Sequence, residues 1–344
     1  MDTITTIGVD LAKNVFQVHA ADAAGRTVFS KAVRRAGLLT LMGKLPPALV
    51  GMEACATAHH WAREIQKLGH SVRLIPPAYV KPFVRRQKND AADAAAICEA
   101  VTRPTMRFVP IKTTDQQSIL VLHRVRAQLS GQRTALINAL RAHLAEFGFA
   151  FPVGANGLAS LRQFFKSEDS AELPEFATVG LKSLCDALDN INRTIEKIEV
   201  QITRWHKQAD VSRRLATIPG VGVIVATALA ASVPDVSMFK SGREFAAYLG
   251  LAPRQSSSGG KERLGRISRM GNGYLRSLLV VGATAVLRHS KVPGQAPREW
   301  ANAKLATKPF RLVSVALANK IARIAWAVLA RNDVYREQAV AAGV

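Results

Sequence analysis

The sequence predicts an α/β domain joined to all-α regions. Three patterns carry that expectation. Alternating apolar strands open the chain, an apolar heptad runs through its middle, and apolar helical stretches flank a basic Gly/Ser loop near its end.

The elements follow in order. Ile7, Val9 and Leu11 alternate with small or polar positions, which predicts a first strand. Lys13-Asn14 falls where a hairpin turn belongs. Beyond it Val15, Gln17 and His19 alternate with Phe16, Val18 and Ala20, a second strand. Arg26 to Val33 reads as a third strand after the turn residue Gly25. A helix over 36–44 ends before Pro46-Pro47, and Ala48 to Glu53 forms a short apolar strand. Residues 57–68 form a helix stopped by Gly69. Val72 to Ile75 is a strand ended by Pro76-Pro77, with helices over 78–86 and 89–101 behind it. Three successive strands, then alternating helices and strands, imply a mixed sheet.

The middle is helical. Leu122, Val125, Leu129, Leu136, Leu140 and Phe147 mark one stripe. Leu184, Leu188, Ile191, Ile195, Ile198, Ile202 and Trp205 alternate spacings of four and three, the pattern of a coiled-coil seam. Two arrangements fit, a hairpin packed on itself or an arm that dimerises, and both hold if two hairpins pair. Residues 148–175, rich in Gly and Pro, break the two helices apart. A third region opens at Ile218-Pro219-Gly220-Val221-Gly222, which has the form of a helix-hairpin-helix. There, backbone amides at a helix N-terminus touch phosphates without reading sequence. The alternative is an ordinary tight turn. Helices to Ser232 and from Phe239 to Leu249, a basic loop over 253–273, and helices over 274–288 and 309–331 complete the chain. Trp205 and Trp326 read as core. The expected domains are 1–112, 113–210 and 211–344.

Composition narrows the partners. The net charge is +22 over 344 residues, and hydrophobic residues make up 48%, enough for real cores. Such a surplus favours a polyanion, because each cation that neutralises a phosphate releases a counterion; a merely basic protein is the alternative. Residues 207–344 carry 21 basic and 7 acidic side chains, so the charge is concentrated there. Cys55, Cys98 and Cys185 lie far apart without ligand spacing, which argues against disulfides and structural zinc. No signal peptide precedes the first strand, and the apolar run from Gly220 to Val233 is too short for a bilayer. A cytoplasmic protein with no membrane partner is expected.

Four acids stand out. Asp10 lies on the first strand, pointing opposite Ile7, Val9 and Leu11. Glu53 closes a second apolar strand. Asp90 and Asp93, three apart, share a helix face. A carboxylate on a central strand is costly unless paired or metal-bound. Hard carboxylate oxygens suit Mg²⁺, with Mn²⁺ as the alternative, and such ions serve phosphoryl transfer. Read singly, Asp10 can be a turn residue and Asp90 a helix cap.

The loop holds Ser256, Ser257 and Ser258 before Gly259-Gly260, among Arg254, Lys261, Arg263, Arg266 and Arg269. Glycines let backbone approach a phosphate, and Arg forks hold its oxygens. No base with triad spacing stands nearby, so composition alone favours a phosphate-binding loop without chemistry.

The segments IGVDLAKN, GMEACATAHHWAREI, KNDAADAAAI, IPGVG, YLGLAPRQSSSGGKERLGRISRMGNGYLR and ALANKIARIAW span nearly the whole chain. In them the sequence resembles the DEDD transposases of insertion-sequence family 110, subgroup 1111. The resemblance implies a RuvC-like domain of the RNase H superfamily, a coiled coil and a C-terminal transposase domain. It implies that Asp10, Glu53, Asp90 and Asp93 bind the metal and that Ser258, directly before Gly259, is the nucleophile. It implies a composite site shared between protomers of a dimer or tetramer, a covalent phosphoserine, double-stranded target and donor DNA, and a structured non-coding guide RNA. A bacterial cytoplasmic, nucleoid-associated recombinase is the resulting expectation. Three rivals remain: an actin-like or sugar-kinase fold, which needs a domain duplication not seen here; a nuclease or junction resolvase using water alone; and a non-catalytic nucleic-acid-binding protein.

Overall fold

A computed structural model of the protein describes residues 3–84, 89–256, 261, 263–289 and 296–336. It divides into two compact units, 1–116 with 232–240 and 117–231 with 241–344.

In the first unit β1 (Thr6–Asp10), β2 (Val15–Ala21), β3 (Thr27–Arg34), α1 (Leu38–Met42), β4 (Leu49–Glu53), α2 (Ala58–Lys67), β5 (Ser71–Ile75), α3 (Pro77–Val80) and α4 (Asp90–Ala100) follow one another. The five strands form one sheet in the order β3-β2-β1-β4-β5. β1 is antiparallel to β2 and parallel to β4, so the sheet is mixed and β1 lies at its centre.

The pleat decides the faces. Ile7, Val9, Val50 and Met52 point to one side, where they pack with Leu38 and Met42 of α1 and Trp61 and Ile65 of α2. On the opposite face Gly8 and Gly51 stand side by side in register. A Cβ on Gly8 would sit 2.1 Å from the Ala94 carbonyl oxygen, and one on Gly51 2.8 Å from Val101 Cβ. The missing side chains therefore let α4 lie directly on the sheet, where Ile97, Ala100 and Val101 are buried.

The second unit is mostly helical. α5 (Thr114–Ala145), α6 (Ala155–Phe164), α7 (Glu175–Gln208), α8 (Asp210–Leu215), α9 (Val223–Ser232) and α10 (Gly242–Tyr248) precede a small hairpin, β6 (Pro253–Gln255) with β7 (Leu264–Ile267). Then come α11 (Gly273–His289), α12 (Ala296–Leu305) and α13 (Phe310–Arg331).

The long helices α5 and α7 run antiparallel. Ile119 packs with Ile202 at one end, and Leu140 and Leu144 with Leu181 and Leu188 at the other. Between them the Arg126 guanidinium grips Glu199 Oε1 at 2.6 and 2.7 Å. On α7 the residues Leu181, Leu188, Ile195 and Ile202 are buried at strict seven-residue spacing. This seam closes within the chain. On α5 the stripe read from sequence holds at Leu122, Leu136 and Leu140 and fails at two positions. Ile119, His123, Leu140 and Leu144 are buried, while Val125 and Phe147 are exposed. Arg126 and His123 take the inward positions, and polar residues there hide the apolar period. The Gly/Pro-rich segment between them also holds a helix, α6. Leu161 and Phe164 of α6 seat it on the tip of the α5–α7 pair.

Helix α13 is long and apolar enough to cross a membrane by length and composition, with a mean hydropathy of 1.6. Reading only 220–233 as the longest apolar stretch overlooked it. Eight of its residues are buried, among them Val313, Leu317, Ile321 and Ala325, and it packs on α8, α10, α11 and α12. It is the core helix of the second unit.

Candidate metal centre and basic hairpin

The acids are positioned by the same stacking that seats α4. Asp10 lies two residues beyond Gly8 and Glu53 two beyond Gly51, so both face the α4 side at one end of the sheet. The β1–β4 register pairs Val9 with Met52. One further step sets Asp10 beside Glu53. α4 crosses with Ala94 and Cys98 over Gly8, which brings its first turn, holding Asp90 and Asp93, above Asp10.

Carboxylate oxygens of Asp10, Asp90 and Asp93 lie within 4.8 Å of one another. Asp90 is exposed; Asp10 and Asp93 are half-buried. Glu53 is half-buried on the neighbouring strand and is not part of that tight group. The thiol of Cys55 records how near both strand acids are. Its pKa is pushed up by burial first, then by Glu53, with a smaller contribution from Asp10.

Part of the repulsion between Asp90 and Asp93 is offset by the N-terminus of α4. Asn89 caps it, accepting from the Ala92 amide at 2.7 Å, and the first-turn amides favour negative charge. That accounts for two acids on one helix. It does not account for a third arriving from a strand. Three hard oxygen donors at this separation fit a divalent cation such as Mg²⁺ or Mn²⁺.

In the second unit the basic loop is an antiparallel hairpin, not the irregular loop that composition implies. Pro253 pairs with Ile267, Gln255 with Leu264, and the Ser256 amide donates to the Arg263 carbonyl at 3.0 Å. Arg254, Lys261, Arg263, Arg266 and Arg269 are all exposed. Ser258 and Gly259, with Ser257 and Gly260, lie outside the described residues.

The root of the hairpin is fixed. Gly250 and Gly271, both at positive φ, press backbone on backbone; a Cβ on Gly271 would lie 1.9 Å from the Tyr248 carbonyl oxygen. Arg276 donates to the carbonyls of Leu249 and Met270 at 3.1 and 2.8 Å. Asn272 caps α11 by accepting from the amides of Tyr274 and Leu275. Arg269 adopts a left-handed φ of 58°, uncommon for a side chain of its size.

Behind that root runs a buried polar relay with no sequence signature. Thr227 Oγ1 donates to the Val223 carbonyl at 2.7 Å and so accepts from His123 Nε2 at 3.0 Å. His123 Nδ1 is left to accept from the Tyr274 hydroxyl at 3.0 Å. Burial pushes the Tyr274 pKa up, and the nearby Arg126 charge pulls it back in part. Burial, and secondarily Arg126, hold the His123 pKa down to about 4.

The IPGVG turn joins α8 to α9. Gly220, at φ 84°, faces inward, where Gly282 and Ile321 leave no room for a Cβ; Gly222 is exposed with open space around it. Trp205 packs in the cluster of Ile119 and Ile202. Trp326, read from sequence as core, instead lines a cavity with Trp300.

Comparison with known proteins bears on both regions. A family model described as "Transposase", of the DEDD type of IS110, matches residues 7–149, and one described as "Transposase IS116/IS110/IS902 family" matches residues 212–297. The chain is 46% identical over 335 residues to a "Probable family 20 transposase" of Pseudomonas aeruginosa, covering 97% of this chain and 99% of that protein. It is 40% identical to the "Transposase for insertion sequence element IS1328" of Yersinia enterocolitica, over 97% and 99% of the two chains. Identity is also 40% to the "Transposase for insertion sequence element IS1111A" of Coxiella burnetii, over 98% and 92%.

Proposed function

The chain belongs to the IS116/IS110/IS902 family of insertion-sequence transposases, and from that premise we propose that it cuts and rejoins DNA through a phosphoserine formed at Ser258. The observation that carries the reading is the convergence of Asp10, Asp90 and Asp93 from two separate elements within 4.8 Å.

In this reading residues 1–112 are a RuvC-like catalytic domain, 113–210 the helical connector, and 211–344 the serine-bearing domain. Asp10, Glu53, Asp90 and Asp93 hold Mg²⁺, or Mn²⁺ in its place. Once bound, the ion acts as a Lewis acid toward the scissile phosphate. The remaining chemistry is the chain's own. Ser258 Oγ attacks phosphorus, its proton is lost, and the bond from phosphorus to a deoxyribose oxygen breaks as that oxygen gains a proton. The serine–phosphate ester keeps the energy of the broken bond. A hydroxyl of the incoming strand then attacks phosphorus and frees the serine, so rejoining needs no nucleotide cofactor. Arg254, Lys261, Arg263, Arg266 and Arg269, beside Gly259, hold the flanking phosphates. The IPGVG turn contributes a helix-hairpin-helix contact to duplex backbone through its exposed Gly222, while Gly220, packed inward, fixes the turn.

The resemblance to the family extends the proposal. The acids of one protomer act with the serine of another in a dimer or tetramer. Target and donor duplexes are selected by a structured non-coding RNA, in the cytoplasm at the nucleoid. The strongly basic C-terminal part supports a polyanionic partner.

A trapping assay tests this. The protein, RNA from the element's flank, and labelled target and donor DNA are combined with Mg²⁺, denatured and resolved on a gel. The expected product is a protease-sensitive adduct absent in Ser258→Ala. Cleavage without an adduct, unchanged in Ser258→Ala, would replace the proposal with a metal-dependent nuclease that uses water.

A further inference from the structure

A cavity of about 1100 Å³ opens in the second unit, walled by α10, the β6–β7 hairpin, α12 and α13. That is the upper range for a site that holds an organic ligand, and far beyond the volume of a few waters. Its inner wall is aliphatic, from Leu251, Val315 and Ile324, and two indole rings, Trp300 and Trp326, stand on it. Four cations edge it: Arg243, Arg266, Lys320 and Arg323. None of the described lining residues is acidic.

Those cations are not held by one another's partners. Among the described residues none of the four forms an ion pair. Lys320 is half-buried, its ammonium 4.9 Å from the centre of the Trp300 ring. Its pKa is lowered by burial first and by Arg323 next. Exposed cations without an acidic partner along an apolar hollow leave their charge free to meet an anion that enters it. Asn319 donates through Nδ2 to the Leu251 carbonyl at 3.3 Å, which fixes its amide and leaves Oδ1 to accept. Flat rings, an aliphatic wall, one oriented acceptor and a cationic edge match a heterocyclic base joined to phosphate.

We infer that this cavity receives an unpaired nucleotide of the DNA strand being processed, its base against Trp300 and Trp326 and its phosphates on Arg266 and Arg323. The choice of DNA rests on the proposed function. Pro253 and Arg266 belong to both the cavity wall and the strands that flank the serines in sequence. A strand opened for exchange is unpaired next to the point of cleavage. A base lodged here keeps that strand from re-pairing with its old complement. The cavity would then separate strand opening from strand transfer.

Fluorescence titration of the full chain with single-stranded DNA oligonucleotides tests the site. Quenching of tryptophan emission is expected, with affinity roughly tenfold weaker in Trp300→Ala. Arg266→Ala combined with Arg323→Ala is expected to weaken binding further and to lower its salt dependence. Circular dichroism of each variant checks folding, and both arginines are exposed, so that pair stands if the tryptophan variant unfolds. Wild-type affinity in both folded variants would overturn the inference. A clear preference for single-stranded RNA would assign the cavity to RNA and overturn the DNA assignment. Because the readout is binding, absence of the serine adduct with the quenching intact would sink the proposed reaction and leave only nucleotide binding at the cavity standing.

Discussion

The acidic end of the sheet and the basic hairpin solve opposite problems. At the sheet, like charges must be forced together. The fold does so with two glycines in register, a helix seated on them, and a capped N-terminus that eases the repulsion. At the hairpin the cations need only reach solvent. They are exposed on and beside two short strands, and the root, where Gly250, Gly271 and Arg276 lock the backbone, is the rigid part. Convergence against repulsion requires exact placement. A cationic surface that collects phosphates does not. Damage to the first region should therefore act all-or-none, and damage to the second should be graded.

The sharpest test of that contrast is Asp10→Asn. It removes one charge from the group without altering the shape of β1. Strand cleavage in the trapping assay should fall by about a thousandfold or more. DNA affinity should hold, because the basic surface is untouched. If cleavage persists, Asp10 is not part of a reaction centre and Asp90 and Asp93 are a charged helix end.

Gly8→Ala comes next and asks whether close approach is what builds the site. The new Cβ would meet the Ala94 carbonyl oxygen at 2.1 Å and the Cys98 amide at 2.6 Å, both backbone atoms that cannot rotate away. α4 must shift, at a cost of about 3 kcal/mol. Chemical denaturation reads the loss, and Mn²⁺ binding followed by electron paramagnetic resonance reads the site. Unchanged stability together with unchanged Mn²⁺ affinity would mean that the glycine seat does not position Asp90 and Asp93.

How much of this was legible in the sequence differs between the regions for the same physical reason. β1 and β4 alternate bulky apolar residues on one face with glycine on the other, where α4 must come close, and the alternation itself aims Asp10 away from Ile7 and Val9. Asp90 and Asp93 follow from helical spacing, but the cap read at Asp90 is taken by Asn89, which leaves Asp90 in the first turn. What could not be read was that Glu53 stands beside the tight group and not inside it, a matter of ångströms between strands. β6 and β7 are nearly all exposed, so no periodicity announces them. The α5 stripe fails at Val125 because His123 and Arg126 occupy inward positions there that apolar residues normally hold. The relay of His123, Tyr274 and Thr227 joins residues 151 and 104 positions apart, and no local pattern encodes it. Trp326 satisfied helical spacing for a core residue, but spacing does not say whether the space in front of a ring is filled.

The relay gives the rigid root its own prediction, of similar size but set by pH. His123 is neutral in the fold, with a pKa near 4, and titrates near 6.5 when unfolded. Between those values the unfolded chain binds a proton that the folded chain refuses. Stability from this group is therefore complete above about pH 6.5 and is lost as pH falls toward 4, by roughly 3 kcal/mol in all. Denaturation midpoints at pH 7.5 and 4.5 should diverge more in the wild type than in His123→Gln, which has no such titration. Equal divergence would mean that His123 is not held neutral by its burial.

The smallest effect is expected at the hairpin itself, and its size is the point. Arg266→Ala removes one exposed cation from a surface that carries many. Each phosphate contact contributes about 0.9 to the slope of log affinity against log salt, so the variant's slope should flatten by about one. Affinity should fall several-fold at moderate salt, by nearly the same factor for unrelated duplexes, because phosphate contacts carry no sequence information. Cleavage per bound complex should change far less than it does in Asp10→Asn. A loss confined to one DNA sequence would instead make Arg266 a reader of bases. A collapse of cleavage with binding intact would move Arg266 from the surface that gathers DNA into the machinery that cuts it, and the division between an exact acidic region and a graded basic one would fail.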